Sequence, residues 1–437
     1  MFESVQKRAT AIARDGLAVR RLVASCRKLL SERGEAAGVS LAKTTIDLYR
    51  GLDRRDQARF IAALFAEFSP DPARVLAASK AYAAEQSAAN LLELGMVAEP
   101  PRQELLRRLN RAPMGTGTIL RMRERLLELK RDQHELEAVD ADFRHLLSSW
   151  FNPGFLQIVR VDWHSPAYLL EQIIVHEAVH EIRGWSDLRR RLERDRRCFA
   201  FFHPALPDEP LIFVEVALMD RMADRVPPLL DIHSATEDAS RATTAVFYSI
   251  SNCQPGLRGV SLGNFLIKNV LEVLAQEFPR LKVFCTLSPV PAFAAWLAPF
   301  LESGDAKESA PFGVALQAVR KALGTNIAAI ASDPDGANAR LASIRKPLTQ
   351  LCATYLLQRA NGDAAQDPVK RFHLNNGARL ERINWLADSS KKGLAESLGL
   401  MVNYLYEPGS IEVNHENFVH GEIVASRRVR SMELARA

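Results

Sequence analysis

The chain lacks most of the marks of an exported or membrane-embedded protein. Its 437 residues include five cysteines, Cys26, Cys198, Cys253, Cys285 and Cys352, and no two of them form a CxxC pair. An odd, scattered set argues against a disulfide framework and for reduced thiols in a cytosol. No apolar run reaches membrane-spanning length. The opening Met1-Phe2-Glu3-Ser4 resembles no secretory signal, and the closing Leu434-Ala435-Arg436-Ala437 is not a peroxisomal tripeptide. A cytoplasmic location without a membrane partner is the expectation. There is little net charge: +5, spread over the whole chain, with an isoelectric point near 8.9. Basicity this dilute is weak support for a nucleic-acid partner, and a small anionic ligand accounts for it equally well. Internal repeats are also missing. The remaining composition, 47% hydrophobic and 25% charged, is that of an ordinary globular protein with room for two or three domains.

Residues 4 to about 150 read as almost wholly helical. Ala58, Ile61, Leu64, Phe65 and Phe68 recur at helical spacing and define one apolar face. Breaks are expected at Gly34, at Ser69-Pro70-Asp71-Pro72 and at Pro100-Pro101. After residue 155 the character changes. Cys198–His203 and Pro210–Leu218 flank a proline-rich turn and predict a hairpin. Residues 302–340, rich in Ala, Gly and Asp, predict loops with short helices, and Ile383 to Tyr406 returns to mixed α/β character. The expected fold is therefore α+β and multidomain, with an all-helical bundle over 1–155 followed by a mixed α/β domain over 156–437.

The stretch 243–300 carries the most information. A β-branched and aromatic run, Thr243–Ile250, predicts a strand, Asn264–Leu274 predicts a helix, and Leu281–Leu287 predicts another strand. Between the first two lies Gln254-Pro255-Gly256-Leu257-Arg258-Gly259-Val260-Ser261-Leu262-Gly263. A glycine-rich loop opening a helix gathers free backbone N–H groups at the positive end of the helix dipole, which suits a pyrophosphate. Arg258 through Leu266 resembles the acyl-CoA loop of the GNAT acyltransferase superfamily, with Ser261 in place of the middle glycine. An ordinary strand-to-helix turn is the bland alternative.

Three other features each have a bland reading beside a sharp one. His176-Glu177-Ala178-Val179-His180 matches the H-E-x-x-H zinc helix, and a helix through Tyr168–Val175 would put both histidines on one face. The downstream carboxylates Asp187, Glu193 and Asp195 stand among arginines, so the expectation is a plain helix with His180 packed on the sheet and no metal. Arg189 to Arg197 is a basic run with interspersed acids, expected to be a solvated helix end or to face the phosphates of a CoA ligand. Ser288 precedes Pro289 and reads as a helix N-cap, while His373 precedes an Asn-Gly turn and reads as a helix-end histidine.

Taken together, several stretches resemble the malonyl-CoA decarboxylase family. They include Trp150–Phe155, Trp163–Pro166, Glu177–His180 with Trp185, and Arg196–Phe199. They continue through Phe247–Ser251, Gly256–Gly263, Leu287–Pro289, Phe372–Ala378, Arg382–Asp388 and Gly399–Tyr404. The resemblance implies a helical N-terminal domain that takes part in assembly and a GNAT-like catalytic domain. It also implies conversion of malonyl-CoA to acetyl-CoA and CO₂ without metal or prosthetic group, and a homotetramer or dimer. The family's catalytic serine and histidine fall on Ser288 and His373. Its CoA loop falls on Arg258, Gly259, Val260, Ser261, Leu262, Gly263 and Asn264. Ser261 stands where some members carry a glutamate near the histidine, so the group that orients His373 is left unnamed. Ser288 would hold the malonyl carboxylate, and His373, with a pKa near neutrality, would protonate the α-carbon. A GNAT-type acyltransferase, a non-catalytic CoA-binding scaffold and a zinc protease are the alternatives.

Overall fold

A computed structural model describes residues 16–131, 133–260, 266–303, 311–325, 327–332, 334–358 and 367–435. The chain divides into two compact units. One holds the residues up to 156 together with 203–207 and 254–262, and the other holds 157–202, 208–253 and 263–437.

The first unit is helical, and its breaks follow local chemistry. Gly34 precedes helix Glu35–Arg50, and Pro72 and Pro101 open helices in the first turn, where a missing N–H costs nothing. Asp53, Asp71 and Ser87 cap three helices with their side-chain oxygens. Ile61, Leu64 and Phe68 are buried as the periodicity predicts, whereas Phe65 flanks the stripe and stays exposed. Helix Gly115–Leu129 carries Arg123, wholly buried, which donates to Asp140 and to the Gly256 carbonyl. Gly256 itself lies against Leu120, whose carbonyl oxygen would stand 2.3 Å from an added Cβ. Only glycine allows that approach.

The second unit is built on an eight-stranded mixed sheet. Its strands are β1 Gln157–Val161, β2 Arg196–Phe202, β3 Ile212–Met219, β4 Thr244–Asn252, β5 Val283–Thr286, β6 Ser288–Pro289, β7 Arg379–Asn384 and β8 Met401–Tyr406. Strands β1 to β4 form an antiparallel meander, and β2–β3 is the expected hairpin. β4 and β5 pair in parallel from Thr244↔Val283 to Phe247↔Thr286, with a last rung from the Leu287 N–H to the Phe247 carbonyl. There the two strands part: β4 runs on to Asn252, while β5 continues into β6 against β8. β8 is antiparallel to β5, β6 and β7. The result is the helical region followed by a mixed α/β sheet unit that the sequence predicts.

Four expectations need correction. Ser288 does not cap a helix. It pairs with Val402 in β6, and the next helix begins at Phe293. Ser288 and Val290 each precede a proline, and a following proline ring pushes a residue out of the helical region into extended backbone. The H-E-x-x-H stretch is not helical beyond its first histidine, because helix Ala167–His176 ends there. The Glu177 carboxylate accepts from the backbone N–H groups of Val179 and His180 and from the hydroxyls of Ser249 and Ser251, which folds 177–180 into a turn. The two histidines therefore share no helical face. The basic run is only partly solvated, with Arg189 and Arg194 exposed. Arg190, Arg191, Arg196 and Arg197 are buried and bonded to Asp195, to Asp187 and Glu215, again to Asp195, and to Glu277. Finally, residues 302–340 are less loop-like than expected, since Pro311–Leu323 forms a 13-residue helix.

Candidate active site

Ser288 and His373, 85 residues apart, meet inside the sheet unit. The pairing of β6 with β8 fixes Ser288, and Thr286 ends β5 two residues earlier. His373 sits in the last turn of helix Pro368–Asn375. That helix starts at Asp367, whose carboxylate accepts from the N–H groups of Val369 and Lys370 and also from Ala292, which ties the helix start to the segment after β6. It stops at Gly377, where φ is +79° and a Cβ would meet the Ile411 carbonyl oxygen at 2.1 Å. The Asn-Gly turn read from the sequence is thus also the device that ends the helix just after the histidine.

β8 supplies the rest. Tyr404 and Tyr406 are two residues apart and so share a face of the strand. The Tyr404 ring stacks on the imidazole at 4.6 Å and 25°. The Tyr406 hydroxyl lies 2.8 Å from His373 Nδ1, and Ser288 Oγ lies 2.9 Å from Nε2. Ser288 donates its own proton to Thr286 Oγ1 at 2.9 Å, and Thr286 Oγ1 also accepts the Tyr404 N–H. Asn403 anchors this corner from below. It donates to the Thr286 carbonyl and accepts from Arg382 and Asn384, which gives the 382–388 stretch a structural task. Thr286, Ser288, His373, Tyr404 and Tyr406 are all buried.

Hydrogen accounting fixes the ring's state. The Ser288 proton goes to Thr286, so Nε2 must be the donor toward Ser288. Nδ1 is then the acceptor for the Tyr406 hydroxyl. Burial alone pushes the imidazolium pKa down to about 3, so the ring is neutral at physiological pH rather than poised near neutrality as expected from the sequence. Burial also holds the Tyr404 and Tyr406 phenols well above their usual value. The arrangement is a line of hydroxyl, neutral imidazole and hydroxyl in a dry environment. It can present one N–H and one O–H to a substrate while a second O–H stands behind the ring.

Of the loop residues, Arg258 and Gly259 are exposed and Val260 is buried. Gly259 has φ +75°, with no atom within 4 Å of where a Cβ would be, so glycine serves backbone conformation there. Ser261, Leu262, Gly263 and Asn264 lie outside the described residues. Among the described residues no group of three or more His, Cys, Asp and Glu is arranged to hold a metal ion. Sequence reasoning missed Thr286, Tyr404 and Tyr406. The aromatic and β-branched run Met401–Tyr406, had it been read as a strand, was the available signal for two phenols on one face.

A family profile described as the malonyl-CoA decarboxylase C-terminal domain matches residues 154–436, and one described as the N-terminal domain matches 68–151. The "Malonyl-CoA decarboxylase, mitochondrial" of Anser anser anser is 36% identical over 388 residues, covering 82% of this chain and 76% of that protein. Its Rattus norvegicus counterpart is 37% identical over 328 residues, 70% of this chain and 65% of that one. Two solved structures are similar throughout. The malonyl-CoA decarboxylase from Rhodopseudomonas palustris has 47% identity and a TM-score of 0.86, and covers 94% of this chain and 99% of that one. The enzyme from Agrobacterium vitis has 46% identity and a TM-score of 0.83 over the same shares. Profile matches over both parts of the chain, and likeness along nearly all of it, lead to one statement: the chain belongs to the malonyl-CoA decarboxylase family.

Proposed function

We propose that this chain converts malonyl-CoA to acetyl-CoA and CO₂, with Ser288 and His373 at the reacting carbons. The observation that supports this most strongly is the buried Ser288–His373–Tyr406 line at 2.9 and 2.8 Å beside the point where β4 and β5 part. The bond that breaks joins Cα to the carboxylate carbon. Its electron pair passes into the thioester carbonyl and leaves an enolate, and CO₂ departs. The thioester is itself the electron sink, so the reaction needs no metal or cofactor. The edge of β4 beyond Phe247 offers backbone N–H groups for the developing oxyanion, a type of contact worth on the order of 10²–10³ in rate.

Ser288 turns its hydroxyl proton from Thr286 to the malonyl carboxylate and holds it out of the thioester plane, so that the breaking bond overlaps the carbonyl π system. His373 gives its Nε2 proton to Cα, and the Tyr406 proton moves to Nδ1 as it does so. The ring thus remains a neutral imidazole with its proton on Nδ1; Nδ1 then returns that proton to the Tyr406 phenolate, whose burial raises its pKa, and Nε2 takes a proton from solvent once the product has left. A neutral ring suits this task because its environment is dry and the acceptor is a strongly basic carbanion. The segment Arg258–Asn264 holds the CoA diphosphate.

The reducing location is cytoplasmic, in keeping with five cysteines that are all buried and unpaired. No described helix is long and apolar enough to cross a membrane. The functional form is a homo-oligomer. Helix Ala88–Ala98 has no buried residue although it carries Leu91, Leu92 and Met96, exposed by 52–68%, and a second copy would cover them. The deciding experiment is incubation of purified protein with malonyl-CoA in EDTA, followed by mass analysis. Acetyl-CoA and CO₂ in equal amounts are expected. An acylated acceptor, or activity lost to the chelator and restored by zinc, would overturn the proposal.

A further inference from the structure

The sheet unit holds a cavity of about 540 Å³ that shares no residue with the site above. It is within the ~300–1,000 Å³ range of small-molecule sites. Its walls come from the start of helix Arg345–Leu357, the end of β7 with Trp385, and helix Arg427–Arg430. Ile383 on β7 pairs with one edge of β8 at Val402, and Ser288 on β6 pairs with the other edge at the same residue. The cavity therefore lies on the far side of β8 from the catalytic serine.

Its charge is one-sided. Arg345, Lys346 and Arg428 line it, none has a carboxylate within ion-pair distance among the described residues, and no Asp or Glu is part of the lining. This contrasts with the buried arginines of 190–197, every one of which is paired. Two of the three cations occupy the first turn of a 13-residue helix that has no side-chain cap and no acid in that turn. Cations at the positive end of a helix dipole repel it, and an anion there relieves both the dipole and the mutual repulsion. The neighbouring hydroxyls are already committed, Thr349 to the Arg345 carbonyl and Ser431 to the Arg428 carbonyl, so the charged donors left for a ligand are the three cations, with the Gln350 amide and the Trp385 N–H as neutral ones. The half-buried Trp385 ring stands 6.0 Å from the Arg345 guanidinium and restrains it, with its N–H edges still free.

We propose that this cavity is a binding site for a small molecule bearing two or more linked phosphates. The inference goes beyond the decarboxylase reading and does not depend on it. The test is calorimetric titration of the full chain, first saturated with CoA so that any diphosphate site in the catalytic cleft is filled, using inorganic pyrophosphate and, separately, ADP. Binding of one equivalent is expected, weakening as salt is raised and falling at least ~10-fold in the double variant Arg345→Gln/Arg428→Gln while malonyl-CoA turnover is unchanged. Tighter binding of ADP than of pyrophosphate, with the difference lost in Trp385→Phe, would assign the ring of the ligand to the indole. Lys346→Ala, an exposed single change, provides the same comparison should the double variant fail to fold. Absence of binding in the CoA-saturated protein, or equal affinity in the folded cation variants, overturns the proposal.

Discussion

Replacing Tyr406 by Phe removes one oxygen from the middle of the sheet unit and leaves the ring in place. That oxygen is the partner seen for His373 Nδ1, at 2.8 Å, and it selects the tautomer that carries its proton on Nε2. Without it, the imidazole can place its proton on Nδ1 and accept from Ser288 instead, so Nε2 no longer faces the substrate as a donor. A neutral hydrogen bond is worth about 0.5–1.5 kcal/mol net, and a buried nitrogen left without a partner costs ~1–3 kcal/mol. If roughly 1.4–2.7 kcal/mol of this falls on the transition state, kcat drops by about 10- to 100-fold. KM should stay within about threefold, because the phenol stands behind the ring and touches no part of CoA. The assay is acetyl-CoA formation under single-turnover and steady-state conditions. It is paired with ¹⁵N spectra of labelled histidine, where the variant should show a mixed or inverted tautomer. A variant that keeps kcat within twofold, or one that loses only KM while Nε2–H still dominates the spectrum, would refute the reasoning.

Other outcomes follow from the same geometry. Ser288→Ala and His373→Asn should each lower kcat far more than they change CoA affinity, and Ser288→Ala should cost about 1–3 kcal/mol of stability, because His373 Nε2 loses its buried partner. Burial lowers the pKa of His373 to about 3 and of His180 to about 4, so both rings are neutral in the folded chain. The unfolded chain takes up these protons first as pH falls below ~6.5. The stabilisation is therefore complete above that pH and is lost on acidification, by about 2 kcal/mol per ring at pH 5. Burial pushes the Glu215 carboxyl up to about 8, which acts in the opposite direction between pH 7.5 and 5, so the histidine part is read by comparison: the change in unfolding free energy between these pH values, measured with denaturant, should differ by about 2 kcal/mol between the parent chain and His373→Gln. An unchanged difference in that variant would contradict the assignment. Gly256→Ala, whose Cβ would lie 2.3 Å from the Leu120 carbonyl oxygen, should destabilise by about 1–3 kcal/mol in a thermal melt. Leu91→Glu with Leu92→Glu should reduce the mass measured by light scattering if a second copy covers helix Ala88–Ala98; an unchanged mass argues for another cover.

How much of this was legible beforehand depended on the range of the interaction. The helix breaks at Gly34, Pro72 and Pro101, the β2–β3 hairpin, β4 and the helix after the glycine loop all follow from residues a few positions apart, because capping, proline geometry and hydrophobic period act locally. Ser288 and His373 were reachable only through resemblance, since a serine before proline and a histidine before Asn-Gly have sufficient local explanations of their own. Two local readings failed where a distant partner outweighed propensity. Glu177 left the helix for hydroxyls on β4, and Arg190, Arg191, Arg196 and Arg197 were drawn inward by Asp187, Asp195, Glu215 and Glu277.

The sequence by itself determined the division into a helical region and a mixed α/β region, and the family. Each of these is written in contiguous stretches. Tertiary structure alone decided the chemistry of the histidine. Its partner is a phenol brought from β8, 33 positions along the chain, and its neutral state comes from being buried between Tyr404 and the sheet. A pKa depends on the dielectric and the dipoles around a group in space, and the order of residues along the chain does not reveal which atoms will supply them.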